Sequence, residues 1–260
     1  MRKPAFLDVH RTLFSEAQAV SAYRHRQPYP EAVFALLQAR LPTGCPRILD
    51  AGCGSGDLTV GLTRLGPVEA VDISAPMVAA GRARLGPQAD VRWHVSTVEA
   101  APLEGPFGLA VFGDSIHWLD WDPLFARLSE VLHPRGWLAL VARHYGDPSW
   151  WPAVAAIVDR YHTIPDYTPY DSVALLTPGY IDAVESVETA VEPFDQALDD
   201  FVEALHSRTG CTRDRMSLGD QTAFDDEIRA ALRAACFDGP DGRPTLSLGT
   251  RATVTFARCR

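Results

Sequence analysis

The chain has 260 residues, of which 47% are hydrophobic, so it can bury a sizeable core and is neither disordered nor fibrous. Its net charge of -9 argues against a broad nucleic-acid surface, because such surfaces depend on clustered lysine and arginine. The five cysteines are scattered without C-x-x-C spacing, which predicts neither a disulfide framework nor a metal site and favours a reducing compartment.

The first residues, MRKPAFLDVHRTLF, lack the uninterrupted apolar core of a signal peptide. No apolar run approaches the length that crosses a bilayer. We therefore expect a cytoplasmic protein with no membrane partner and, from its acidic balance, no nucleic-acid partner. The sequence is compatible with a monomer or a homodimer.

Strands and helices are predicted to alternate along the first 161 residues. An amphipathic helix over 28–41 comes first. The predicted strands are 47–50, 68–73, 90–95, 107–113 and 136–143. Helix-like segments follow four of them, at 57–65, 75–85, 122–132 and 149–161. This alternation predicts a parallel, doubly wound sheet with right-handed crossovers.

After residue 161 the alternation of strands and helices is less regular. Residues 162–181, HTIPDYTPYDSVALLTPGYI, are rich in proline and tyrosine and are interpreted as an insertion. The tyrosines of this region suggest an aromatic lid, or equally surface packing: Tyr161, Tyr167, Tyr170 and Tyr180. A strand at 184–191, helices near 199–206 and 223–235, and a last strand at 251–258 follow.

The predicted fold is a Rossmann-like α/β domain over 1–260. Its sheet is mostly parallel and seven-stranded, with the last strand antiparallel. An N-terminal lid over 1–30 and a helical and loop cap over 145–215 complete the expected organisation.

A glycine-rich loop, in RILDAGCGSGDLTVGL (47–62), follows the first predicted strand. The dinucleotide fingerprint is G-x-G-x-x-G, but here Asp57 stands where its third glycine would be. Asp50 lies directly before the loop and would repel a pyrophosphate, whereas it would attract an ammonium group. The loop therefore favours a zwitterionic adenosine cofactor.

Asp72 ends the second predicted strand, 22 positions after Asp50. A carboxylate at this edge can accept hydrogen bonds from both ribose hydroxyls of an adenosine. Alone, such an aspartate is more often a turn or helix-capping residue, but its distance from the glycine loop favours the ribose role.

Five motifs occur in order over roughly the first 145 residues: YRHRQPYP (23–30), LDAGCGSG (49–56), AVDISAPM (70–77), HWLD (117–120) and LHPRGWLAL (132–140). This set resembles the class I S-adenosylmethionine-dependent methyltransferases, in particular those that act on small molecules. The resemblance implies S-adenosyl-L-methionine as cofactor, S-adenosyl-L-homocysteine as product and a small-molecule methyl acceptor as partner.

The resemblance also implies cofactor-binding roles. Gly52 and Gly54 would contact the methionine portion, Asp50 its ammonium group and Asp72 the ribose. Thr97 stands where the family usually has an acid that contacts adenine, so that contact is expected to be weaker or to be supplied by the backbone. The remaining implied cofactor residues are Tyr23, Arg26, Ile73, Met77, Val98, Asp114 and His117.

Candidate catalytic and acceptor-binding residues follow the fourth and fifth predicted strands, at the edge where open α/β sheets bind ligands. His117 and His144 are the catalytic candidates, although a base is needed only if the acceptor holds a proton. Aromatic faces there could bind an apolar acceptor or contact the sulfonium, or could simply pack against neighbouring helices. The acceptor-binding candidates are Trp118, His144, Tyr145, Trp150 and Trp151.

The leading hypothesis is methyl transfer to an oxygen, nitrogen or carbon nucleophile of a small organic molecule, such as a specialised metabolite. A cofactor-binding enzyme that catalyses a non-methylating rearrangement, or a non-catalytic cofactor-binding protein, would carry the same motifs. Methylation of RNA or protein is disfavoured by the acidic balance and by Gly113-Asp114-Ser115-Ile116, where an N-P-P-Y-like motif would stand.

Overall fold

The structure is a computed structural model that describes residues 17–87, 89–164, 171–208 and 210–260. Its first five strands run parallel, in the order 3-2-1-4-5. They are β1 (Ile48–Ala51), β2 (Val68–Asp72), β3 (Val91–Val95), β4 (Phe107–Gly113) and β5 (Leu132–Tyr145). All residues of β1 and six of seven in β4 are buried, as expected for parallel strands covered on both faces. The order reverses between β1 and β4, which leaves a crevice at their carboxyl ends.

The later strands complete the sheet on the other side of β5. They are β6 (Ile181–Glu188), β7 (Glu192–Ala197), β8 (Cys236–Asp238) and β9 (Pro244–Cys259). β9 runs antiparallel beside β5, and the seven-strand path is 3-2-1-4-5-9-6. The predicted mostly parallel sheet with a last antiparallel strand is confirmed.

Two short strands, β7 and β8, were not predicted. β9 is 16 residues long, and its first half pairs with β7 and β8 while its second half pairs with β5 and β6. The sequence predicts a last strand only from residue 251, because Pro244 and Gly249 are typical of loops. The single strand predicted at 184–191 corresponds to β6, which begins at Ile181 and ends at Glu188. A separate strand, β7, begins at Glu192.

Helices cover the sheet between strands. The described helices are α1 (Ala17–Tyr23), α2 (Glu31–Arg40), α3 (Thr59–Leu62), α4 (Ala75–Leu85), α5 (Trp121–Val131), α6 (Trp151–Tyr161), α7 (Ser172–Leu176), α8 (Leu198–His206) and α9 (Leu218–Leu232). α4 has the predicted bounds, since Ser74 caps its first turn and Gly86 ends it with a φ of 71°. α3 is shorter than the predicted 57–65, while α1 and α7 were not predicted.

Helices α6, α8 and α9 form a core of their own beside the end of β5. Phe201, Phe224 and Ile228 are fully buried there, and Tyr145 of β5 joins them. The predicted cap ends at residue 215, whereas this core also includes α9, which begins at Leu218. Tyr167, Tyr170 and residues 1–16 of the predicted lid lie outside the described residues. Within the described ranges, no helix is both long and apolar enough to cross a membrane.

Candidate functional site

A cavity of about 410 Å³ lies at the carboxyl ends of β1, β2, β3 and β4, beside the crevice between β1 and β4. The structure brings twelve of the predicted site residues to its wall: Tyr23, Arg26, Gly52, Gly54, Asp72, Ile73, Met77, Thr97, Val98, Asp114, His117 and Trp118. Among the residues described, no group of three or more His, Cys, Asp or Glu side chains could hold a metal ion.

The glycine loop passes close to the loop after β4. Gly52 has a φ of 72°, and a Cβ added to it would lie 2.7 Å from the Cβ of Ser115. A side chain at position 52 would therefore meet both backbone strain and a clash. The Ser115 hydroxyl in turn donates a hydrogen bond of 2.6 Å to the Ala51 carbonyl, which fixes the two loops together.

Asp72 connects the glycine loop to the start of α4. One carboxylate oxygen accepts a hydrogen bond of 2.8 Å from the Gly54 amide, and the other accepts one of 2.8 Å from the Ser74 amide. Burial raises the pKa of Asp72, and these two amide bonds oppose the rise. The residue thus has the turn-forming contacts considered from the sequence and also lines the cavity. Each carboxylate oxygen keeps a further lone pair for a ligand hydroxyl.

Asp50 is not part of the cavity wall. Its side chain is 1% exposed, and the Thr59 hydroxyl donates a hydrogen bond of 2.6 Å to it. Burial raises the pKa of Asp50 to about 7 from its ordinary value of 3.8. The structure therefore places this carboxyl group behind the glycine loop, with α3.

Apolar side chains line the part of the cavity beside β2 and β3. Ile73 is 53% exposed, which is high for a large apolar residue, whereas Met77 and Val98 are buried. Thr97 is exposed in the same wall. This part of the wall therefore presents mainly apolar side chains to the cavity.

The segment after β4 forms the opposite wall. Asp114 has a φ of 50°, unusual for a residue with a side chain, and the turn Ile116–Trp118 follows. The rings of His117 and Trp118 lie 4.5 Å apart between centroids. The Trp121 indole donates a hydrogen bond of 2.9 Å to the Ile116 carbonyl, so the turn is fixed to α5.

Arg143 in β5 supports this wall and was not predicted from the sequence. It donates a hydrogen bond of 2.7 Å to the Gln27 carbonyl, and it forms ion pairs with Asp57 at 3.0 Å and with Asp114 at 3.5 Å. Its guanidinium carbon lies 4.5 Å from the centroid of the Tyr29 ring. Its partners lie far from it in the sequence, so no motif identifies it.

The predicted acceptor-binding aromatic residues at the end of β5 lie together but outside the cavity wall. The Tyr145 ring lies 5.5 Å from the Trp151 ring and 5.6 Å from the Phe201 ring, and Trp150 lies 5.5 Å from Phe201. Burial raises the pKa of Tyr145. These rings pack α6 and α8 against β5.

The structure does not bring His144 to the cavity. His144 is exposed, and its Nε2 lies 3.4 Å from the Thr253 hydroxyl. Successive strand residues point to opposite faces of a sheet, so His144 faces away from the side on which Tyr145 packs.

Comparisons with known proteins agree with this geometry. The methyltransferase-domain family model matches residues 48–136, which contain the glycine loop, Asp72 and the turn after β4. A trans-aconitate 2-methyltransferase from Mycobacterium sp. (strain KMS) is 31% identical over 228 residues, which cover 80% of this chain and 86% of that protein. The chain belongs to the class I S-adenosylmethionine-dependent methyltransferases.

Two further comparisons extend over different lengths. A methyltransferase structure from Anaeromyxobacter dehalogenans, described as type II, has a TM-score of 0.62 and 25% identity, and covers 89% of this chain and 96% of its own. The bifunctional biotin biosynthesis protein BioCD of Bordetella avium is 32% identical over 149 residues, or 55% of this chain. The chain spans 32% of the length of BioCD and 55% of an uncharacterized methyltransferase from Mycobacterium tuberculosis.

Proposed function

We propose that this chain transfers a methyl group from S-adenosyl-L-methionine to an oxygen, nitrogen or carbon nucleophile of a small organic molecule, with S-adenosyl-L-homocysteine as the second product. The observation that carries this proposal is the cavity itself. The glycine loop, the β2-terminal carboxylate and the turn after β4 meet around one space at the point where the strand order reverses.

The residues present fit an adenosine-containing zwitterion. Gly54 has a φ of 53°, and a Cβ added there would point towards Tyr23, so its missing side chain leaves room in the cavity. Asp72 would accept the ribose hydroxyls with its remaining lone pairs. The adenine would lie between Ile73 and Met77, and the Arg26 guanidinium would contact the methionine carboxylate. The buried position of Asp50 makes it a support of the loop in this proposal.

When bound, the cofactor supplies a methyl group that is already activated on a sulfonium, so the protein needs no nucleophile of its own. The chain's task is to align the acceptor with that methyl group and to exclude water. Trp118 and His117 would form the wall on the acceptor side. A proton has to be removed from an alcohol, phenol or amine but not from a carboxylate, so a base at His117 is required for some acceptors and not for others.

The named activity of one relative suggests a chemical class for the methyl acceptor. Trans-aconitate is a small tricarboxylate, and the relative that methylates it matches most of this chain. We propose that the segment 145–215 and the residues before α2 cover the acceptor in the same general way as a cap and a lid. Neither a non-methylating rearrangement nor a non-catalytic role gains support from the described site.

The first test is calorimetric titration of the purified chain with S-adenosyl-L-methionine and, separately, with NAD. We expect micromolar binding of the first and none of the second. Asp72→Asn removes the charge that the ribose hydroxyls would meet, and it also replaces one acceptor of the Gly54 and Ser74 amides with a donor. We expect affinity to fall about tenfold to a hundredfold, the usual range for a hydrogen bond to a charged group. Asp90→Asn, an exposed acid before β3, is the matched control and should bind as the wild type does.

Three results would count against the proposal. Binding of NAD instead would mean hydride-transfer chemistry, and unchanged affinity in Asp72→Asn would remove the site assignment. Mass analysis that finds neither a methylated product nor S-adenosyl-L-homocysteine, with any acceptor that is consumed, would favour the rearrangement.

A further inference from the structure

Arg208, directly after α8, is half-buried against the aromatic residues at the end of β5. Its guanidinium carbon lies 5.2 Å from the centroid of the Trp151 ring. In the described part of the chain it forms neither a side-chain hydrogen bond nor an ion pair. A partly buried charge without a counter-ion is energetically costly, so a functional reason is required.

The Tyr145 hydroxyl is a second hydrogen-bond donor in this region. Tyr145 is 8% exposed, and its hydroxyl has no hydrogen-bond partner among the residues described. It does not belong to the enclosed polar atoms that lack a partner, so the hydroxyl still reaches accessible space. Burial raises the pKa of Tyr145 and the positive charge of Arg208 opposes that rise, which places the two groups within electrostatic reach of each other.

These two donors lie next to the proposed cofactor cavity. Arg26, in the cavity wall, donates hydrogen bonds of 2.7 Å to both the hydroxyl and the carbonyl oxygen of Ser207, the residue before Arg208. Burial lowers the pKa of Arg208, and the like charge of Arg26 lowers it further. Asp114, whose charge also reaches Arg208, is already paired with Arg143 at 3.5 Å.

We propose that Arg208 and the Tyr145 hydroxyl bind a carboxylate of the methyl acceptor, with the Trp151 ring against the acceptor's carbon skeleton. This inference rests on the proposed function. A planar guanidinium matches a carboxylate with two parallel hydrogen bonds, and the phenol adds a third donor. The ligand is the acceptor because Arg26 already provides a cation in the cofactor cavity, whereas Arg208 and Tyr145 lie outside its wall.

The experiment uses the full chain saturated with S-adenosyl-L-homocysteine. The probes are trans-aconitate, cinnamate and 4-hydroxybenzoate, each titrated against its uncharged amide. We expect at least one carboxylate to bind the wild type at least tenfold more tightly than its amide does. Arg208→Met should abolish that preference, Arg208→Lys should retain part of it, and Tyr145→Phe should weaken it several-fold.

Arg160→Met is the matched control. Arg160 also lies over an aromatic ring, 5.6 Å from the centroid of Tyr161, but it is exposed and pairs with Glu227 at 2.7 Å. We expect its carboxylate preference to equal that of the wild type. Arg208→Met should not lower the melting temperature, because it removes an unpaired charge, whereas a purely structural arginine would lower it.

The outcomes separate this inference from the proposed function. If S-adenosyl-L-homocysteine binds but no carboxylate is preferred over its amide, or if Arg208→Met keeps the preference, the inference is wrong and the proposed function stands. A loss of S-adenosyl-L-homocysteine affinity in Arg208→Met would also overturn it, since Arg208 would then belong to the cofactor site. If the wild type did not bind S-adenosyl-L-homocysteine, both the inference and the proposed function would be wrong.

Discussion

At the scale of single residues, Asp50 illustrates how burial changes the chemistry of a motif. Among the residues described, its carboxyl group has one side-chain hydrogen-bond partner, the Thr59 hydroxyl, and the residue is 1% exposed. A carboxylate there has lost most of its hydration, and so its pKa rises to about 7. In the unfolded chain the same group would titrate near 3.8. The folded state therefore holds a proton that the unfolded state releases between about pH 4 and pH 7.

The sign of the resulting pH dependence follows from linkage. Between these two pKa values the folded state binds more protons at Asp50, so the contribution of Asp50 to the stability of the cofactor-free wild type falls as pH rises towards 7 and then levels off. Asp50→Asn keeps an oxygen for Thr59 and removes the titration. As pH rises through this window, we expect the free energy of unfolding of the variant to increase relative to that of the wild type by up to about 4 kcal/mol, at about 1.4 kcal/mol for each pKa unit.

Denaturant unfolding of both proteins from pH 4.5 to pH 8 measures this gap. Asp90→Asn, whose side chain is exposed, should show no such gap. A difference between Asp50→Asn and wild type that stays constant across the range would show that Asp50 titrates normally in the folded protein.

At the scale of elements, a buried histidine joins α8 to α9. His206 Nδ1 lies 2.7 Å from the Cys211 carbonyl oxygen, and Nε2 lies 2.7 Å from an Asp225 carboxylate oxygen. Both partners are hydrogen-bond acceptors. Burial favours the neutral form of Asp225, but hydrogen bonds from His206 and Arg213 outweigh it and lower the pKa of Asp225. This network fixes the segment that carries Ser207 and Arg208.

We expect Asp225→Asn to lower the free energy of unfolding by about 2–3 kcal/mol at pH 7, since a charged partner of buried donors is lost. A carboxylate with a lowered pKa stabilises the fold above its unfolded pKa, and that contribution is lost as pH falls through the folded pKa. The difference should therefore shrink below about pH 4. Asp226→Asn, one residue further along α9 and 71% exposed, is the control and should unfold as the wild type does. Equal stabilities of Asp225→Asn and wild type at pH 7 would contradict the network.

Elements with local signals could be predicted from the sequence. The bounds of α4 follow from Ser74 and Gly86, and β1 and β4 follow from their apolar runs. The strands β7 and β8 are stabilised by pairing with β9, a contact far along the chain, so their own sequences carry little sign of them.

The candidate site shows the same division. Most of the cofactor-side residues lie in short motifs at or directly after the ends of strands, where the topology places them, but Tyr23 and Arg26 come from the segment before α2 and Asp50 lies behind the loop. His144 and Tyr145 are neighbours in β5, and only the register of the strand decides which of them faces α6 and α8. Arg143 and Arg208 gain their importance from residues distant in the sequence, so no motif identifies them.

At the scale of the whole molecule, Arg143 connects the parts that surround the cavity. From β5 it reaches the segment before α2 through the Gln27 carbonyl, the loop after β1 through Asp57, and the loop after β4 through Asp114. Its side chain is 3% exposed, so these contacts are little screened by solvent. The stability of the fold and the shape of the cavity therefore depend on the same residue.

We expect Arg143→Met to lower the free energy of unfolding by about 2–3 kcal/mol, because it removes the hydrogen bonds of a buried charged group and leaves the partly buried Asp114 without its ion pair. Asp57 keeps Arg84 at 2.5 Å, but Asp114 keeps only a 3.4 Å contact with the Tyr29 hydroxyl within the described part of the chain. The variant should also bind S-adenosyl-L-methionine more weakly, because Asp114 lines the cavity. With the cofactor at a hundred times its Kd, the free energy of unfolding of the wild type should rise by about 2.7 kcal/mol. At that same cofactor concentration, the free energy of unfolding of the variant should rise by less. Arg92→Met, whose arginine is 51% exposed and pairs with Glu104, is the control and should change neither quantity. If Arg143→Met instead lost stability but kept the full gain from the cofactor, the network would hold the fold without shaping the cavity.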